Sequence, residues 1–182
     1  MKRKIKNYPL LHPVPIVLAC AKKEKKINVT TIGDVAIMGL NPPLIVLSTN
    51  EKHLITDFVD EVKILSLNIP QEKLLKKVDY CGIYSGRDVD KENLFTYEYH
   101  DEIPSIKECN ISLNLKVIER VQIKQRVIYI TEVTGTFVDE FLLDNDKLSL
   151  SKMKSVLYGL DNSYYSVGDI IGKGYSIGKE LK

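Results

Sequence analysis

Tryptophan is missing from this sequence, and histidine and cysteine each occur only three times in 182 residues. Cys20, Cys81 and Cys109 are odd in number and share no CxxC spacing. That argues against a disulfide framework and against a structural zinc site, and no metal is expected. No apolar run approaches the roughly 20 residues of a membrane span, and the N-terminus has no apolar signal core, so a cytoplasmic protein without a membrane partner is expected. Excess charge is lacking too: 26 basic against 24 acidic residues give +2. No nucleic-acid partner is called for, and Lys2-Arg3-Lys4 and Lys22–Lys26 read as solvated ends and turn tips. Neither G-x-G-x-x-G nor G-x-x-x-x-G-K-[ST] occurs, and Gly172-Lys173-Gly174 has too little chain after it for a dinucleotide unit. Any nucleotide must be held without those loops.

What is present suffices for one domain over residues 1–182, because 44% hydrophobic content supports a substantial core. Three prolines in Tyr8–Pro15 impose an extended entry. Ile16–Ala21 and Ile27–Ile32 read as a hairpin about a charged turn, and Pro42-Pro43 opens a third strand, Leu44–Ser48. Leu54, Ile55, Phe58 and Val59 recur at helical spacing, with Thr49 or Asn50 as the expected cap. Ile64–Ile69 is a strand, and Gln71–Val78 a second short helix. Residues 79–105 read as a long irregular stretch of the kind that carries function. Ile111–Val121 and Arg126–Val138 alternate as a long hairpin, and Leu148, Leu150, Met153 and Val156 suggest a last short helix. Six strands with short helical inserts and hairpin connections indicate a mainly antiparallel barrel rather than a parallel sheet.

The strings Pro13-x-Pro15, Asn28-Val-x-Thr31, Pro42-Pro43, Asn68-Ile69-Pro70, Cys81-Gly-x-x-Ser85-Gly-Arg87-x-x-Asp90-Lys91, Glu108-Cys109 and Glu132-Val133 follow one another in order. Together the chain resembles the flavoredoxin branch of the flavin reductase-like, FMN-binding split-barrel family. The Cys81–Lys91 string is the most specific. The resemblance implies a mainly β, six-stranded antiparallel split barrel, pairing as a homodimer with FMN held noncovalently near the interface. It also implies electron transfer between a nicotinamide cofactor, NAD(P)H, or a redox protein and an acceptor.

The chemistry of FMN can then be set beside the residues. Its 5′-phosphate needs hydroxyls, free backbone N–H groups and a cation. Ser48, Thr49, Asn50, His53 and Thr56 could supply donors from one strand-to-helix corner, or could simply form a turn and a helix cap. The resemblance favours the phosphate. Ser85, Arg87 and Lys91 belong to the segment that closes over the flavin in that family, where Arg87 and Lys91 would balance charge; the plain alternative is an Arg87–Asp90 or Asp88–Lys91 clamp. Thr31, Ile32, Gly33 and Asp34 fall where related barrels run backbone along the ring edge, with Gly33 permitting close approach. A carboxylate at Asp34 departs from the family pattern and would disfavour a reduced, anionic ring; the plain alternative is that it points to water. Arg126 stands where many relatives have histidine, so no catalytic residue is assigned. Without tryptophan, a cover for the ring would fall to a tyrosine such as Tyr164, Tyr165 or Tyr175, with core or dimer packing as the equal alternative for each. A flavin-storage module, or a pyridoxamine-phosphate-oxidase-like binder, is the alternative function.

Overall fold

The computed structural model describes residues 1–181. The chain begins with β1 (Val14–Pro15), the hairpin β2 (Val17–Lys23) and β3 (Lys26–Ile32), then β4 (Val35–Leu40), β5 (Pro43–Asn50), α1 (Leu54–Val62) and β6 (Ile64–Ile69). A 3-10 turn, Glu72–Leu74, runs into α2 (Leu75–Ile83). There follow β7 (Tyr97–His100), β8 (Ile103–Ile106), β9 (Ile111–Ile123), β10 (Arg126–Val138), β11 (Leu143–Asp144), β12 (Lys147–Leu148), β13 (Val156–Gly159) and β14 (Ser163–Ser166).

Seven of these strands form one antiparallel sheet in the order β3-β2-β6-β9-β10-β5-β4. Its two edge strands, β3 and β4, are consecutive in the chain with only Gly33 and Asp34 between them. The sheet must therefore curl to bring its edges near one another without pairing them, and beside that bend the Ser48 N–H of β5 donates to the Asp34 carbonyl at 2.9 Å. This is the mainly β split barrel expected, with one strand more than the six anticipated. The extra strand is β4, whose Val-Ala-Ile-Met-Gly-Leu run shows no alternation and ends in Gly39 and the double proline.

Period-two alternation places β2 in two cores at once. Val17, Ala19 and Ala21 face the barrel interior with Leu47, Leu65, Leu115 and Tyr129, and α1 plugs that interior with Ile55, Phe58 and Val59. Ile16, Leu18 and Cys20 face outward, where Leu74 of the 3-10 turn and Val78 and Cys81 of α2 cover them. Asn68 joins these layers: its Nδ2 donates to the Leu18 carbonyl, and its Oδ1 accepts from the Ile106 N–H and the Ser112 hydroxyl.

Three local expectations are corrected. The expected irregular stretch 79–105 contains the end of α2, the β7–β8 start and a 3-10 turn at Glu92–Leu94. The helix expected around Leu148–Val156 is instead β12, a 3-10 turn at Leu150–Lys152 and the start of β13, because Val14-Pro15 offers β13 a backbone partner. The cap of α1 is His53, in extended conformation and without a side-chain cap bond; the Asn50 amide oxygen accepts the Lys52 N–H instead. Among the described residues no helix is long and apolar enough to cross a membrane.

Candidate functional site

Two cavities meet at the C-terminal end of α2, sharing Gly82 and Ile83 as a common wall. The smaller holds about 120 Å³ and is lined by Asn28, Thr30, the α1 start His53–Ile55, the Cys81–Gly86 turn and Lys91. The larger holds about 930 Å³. One wall is the β3–β4 bend with Thr31, Gly33 and Asp34, another is Ser48 and Arg126 from β5 and β10, and the lid is the β13–β14 hairpin with Tyr158 and Tyr164.

Lys91 is the electrostatic centre of the small cavity. It is only 2% exposed, its Nζ donates to the Cys81 carbonyl at 2.9 Å, and no carboxylate pairs with it among the described residues. Burial accordingly lowers its pKa. His53 stands across the cavity, its pKa lowered first by partial burial and then by Arg126, Lys91 and Arg87. A buried ammonium, an imidazole and a helix start with no side-chain cap are donors of the kind an anion receptor uses. Gly86 belongs to its wall by necessity, because a Cβ there would stand 2.2 Å from the Asn28 Nδ2.

The large cavity is apolar except at a few points. Thr31 is spent on the fold, its hydroxyl donating to the Val78 carbonyl at 2.5 Å. Arg126 donates from Nε to the Ser48 hydroxyl at 3.2 Å and pairs with Asp34 through a terminal nitrogen. Asp34 therefore does not face the cavity as a lone carboxylate; its charge is offset. A Cβ on Gly33 would press the Ile16 side chain at 3.2 Å. Tyr164 donates to Asp79 at 2.9 Å, tying the hairpin lid to α2.

Of the residues expected to touch a flavin, the fold brings Thr31, Gly33, Asp34 and Ser48 to the large cavity and His53, Ser85 and Lys91 to the small one. Ile32, Thr49, Asn50, Thr56 and Arg87 line neither. Ile32 and Thr49 point into the barrel by strand alternation, both buried. Thr56 Oγ1 sits 2.8 Å from both the Thr49 hydroxyl and the Asn50 carbonyl. Arg87 is not clamped to Asp90; it reaches Asp57 and the Lys52 carbonyl, each at 2.8 Å. Of the three tyrosines expected to cover the ring, Tyr164 lines the large cavity, whereas Tyr165 packs on His12 and Tyr175 is fully exposed. The sequence reading missed Asn28 and Gly86 as site residues, although both stand in the ordered strings. All three thiols are free and buried; burial pushes Cys81 up to about 11, with Lys91 opposing.

A curled antiparallel sheet with few helices, bearing a small polar cavity beside a larger apolar one, is the architecture of a flavin reductase-like split barrel. The chain belongs to the family described as flavin reductase like domain, which matches residues 10–157. It is similar to the flavoredoxin of Methanosarcina acetivorans, 33% identical, with 100% of both chains covered and a TM-score of 0.95. It is also similar to the flavoredoxin of Desulfovibrio vulgaris (Miyazaki F), 25% identical over 98% of this chain and 100% of that one, TM-score 0.90. An uncharacterized protein of Archaeoglobus fulgidus is 26% identical over 127 residues, 68% of this chain and 71% of its own.

Proposed function

We propose that this chain is an FMN-binding electron-transfer flavoprotein, reduced by NAD(P)H or by a redox protein and passing its electrons to an acceptor. The observation that carries the reading is the adjacent pair of cavities: one of about 120 Å³ around the buried Lys91 and one of about 930 Å³, with Gly82 and Ile83 in the wall of both. The small one suits a single phosphate, with Lys91, His53 and Ser85 as its ligands, and no pyrophosphate loop accompanies it. The large one suits a ring, with Thr31, Gly33, Asp34 and Ser48 along the edge and Tyr164 in the lid. A bound flavin would supply the hydride and single-electron chemistry; the residues here hold and orient it and exclude water.

A homodimer belongs to the same proposal. Ile37, Met38 and Leu40 on the edge strand β4 are exposed at 71%, 53% and 84%, an apolar edge that a second copy would cover. A cytoplasmic setting agrees with three unpaired, buried thiols. The whole chain serving as one domain completes the reading.

Cofactor released by heat from the purified protein, separated by chromatography, is the test. FMN is expected. FAD alone, or no flavin after reconstitution, would overturn the proposal, and light scattering showing a flavin-loaded monomer at micromolar concentration would remove the dimer.

A further inference from the structure

The large cavity holds more volume than a flavin ring fills. Cavities for single small ligands begin at roughly 300 Å³, and this one holds about 930 Å³. A flat ring on the Gly33–Val35 edge therefore leaves substantial space, bounded by that ring and by apolar side chains such as Val46, Ile128 and Leu160. Arg126 is the only cation lining this cavity among the described residues.

Its guanidinium is positioned but not saturated. Nε is anchored on the Ser48 hydroxyl at 3.2 Å, one terminal nitrogen meets Asp34, and the other has no hydrogen bond among the described residues. Asp34 is a loose partner, its side chain 67% exposed, and exposed ion pairs of this kind contribute little because water screens them. A carboxylate arriving from the cavity side could take the planar fork in place of Asp34, at the cost of only a weak contact.

We infer that the large cavity carries, beside the ring slot, a receptor for a planar, conjugated monocarboxylate, with Arg126 as its ligand and Asp34 as the side chain the incoming anion displaces. The flat apolar space selects the body of the ligand and Arg126 selects its charge. The inference rests on the flavin reading for the shape of the space, and on Ser48, Asp34 and Arg126 alone for the charge selection.

Benzoate and its neutral isostere benzamide are the probes, titrated by calorimetry into the full chain as purified, with flavin content read from the absorption spectrum of each sample. Wild type should bind benzoate at least several-fold tighter than benzamide. Arg126→Gln should lower the preference for benzoate over benzamide about tenfold or more, and Asp34→Asn should raise that preference several-fold. Asp34 is exposed, so Asp34→Asn keeps the test open if Arg126→Gln fails to fold. Equal binding of the two probes with flavin retained would overturn the receptor alone. So would loss of flavin on Arg126→Gln, which would make Arg126 a cofactor ligand. Discrimination preserved in protein that takes up no flavin on reconstitution would uphold the receptor and overturn the flavin reading instead.

Discussion

Lys91 Nζ donates to the main-chain carbonyl of Cys81 at 2.9 Å, at the junction of α2 and the turn that follows it. A single carbonyl leaves a buried ammonium with two unused donors and a full charge. The fold holds that charge at a cost, which an arriving anion would offset.

Lys91→Met separates these two effects. The substitution removes an undercompensated buried charge and keeps an apolar stem of similar length, so the flavin-free protein should melt at a higher temperature. FMN should bind roughly 10–100-fold more weakly, the loss of a charge-assisted hydrogen bond. Thermal melts of flavin-free protein and fluorescence titrations with FMN measure both. Unchanged FMN affinity would place the phosphate elsewhere, and riboflavin should bind the variant and wild type alike.

Gly86→Ala and Gly82→Ala form a matched pair. At Gly86 the new methyl meets Asn28, which is 5% exposed and has little room to swing away, so a loss of about 1–3 kcal/mol in stability and weaker FMN binding are expected. At Gly82 the nearest atom is the Thr31 Cβ at 3.6 Å, an ordinary contact, and the residue lies in α2. There the change should be neutral, or stabilising by at most about 1 kcal/mol. Denaturant unfolding of both variants checks the contrast, and equal losses would contradict it.

Thr56→Val should act on the fold and not on the flavin. Its hydroxyl closes the corner between β5 and α1 against the Thr49 hydroxyl and the Asn50 carbonyl. Losing it should cost about 1–2 kcal/mol of stability, while FMN affinity stays within about twofold of wild type. A large drop in affinity with stability intact would restore Thr56 to the phosphate site.

His53 confers a pH dependence whose sign follows from its lowered pKa. The unfolded chain binds a proton near the ordinary value of about 6.5, while the folded, flavin-free protein binds it only at lower pH. The stability from a neutral His53 is thus present above about 6.5 and lost as pH falls through the folded value. Urea midpoints of flavin-free protein should fall on acidification below that point, and His53→Gln should flatten the profile. An identical slope in the variant would assign the effect to other groups.

The barrel was legible because its signals are local. Alternation in Ile111–Val121 and Arg126–Val138, the charged turn at Lys22–Lys26 and the apolar set Leu54, Ile55, Phe58 and Val59 each specify an element through period two or period 3.6, and each is present. The strand β4 was not legible, since an edge strand paired on one side needs no alternation and Val35–Leu40 shows none. The 148–156 segment misled for the same reason: four apolar residues at helical spacing became turn and strand once Val14-Pro15 supplied β13 with a backbone partner.

The site divides along the same line. By itself the sequence determined which polar residues cluster along the chain: Thr31 to Asp34 at one bend, Ser48 to Thr56 at a corner, Ser85 to Lys91 after α2. Only the tertiary structure decided which of them face a cavity. Strand alternation turns Thr49 inward while Ser48 faces the slot, Thr56 is held by its neighbours across the corner, and Arg87 is drawn off to Asp57 on α1. The pairing of Asp34 with Arg126, 92 residues apart, exists because β10 lies beside β5 and β5 beside β4. Side-chain direction depends on the partner surface that each element packs against, and the linear order of residues does not contain that surface.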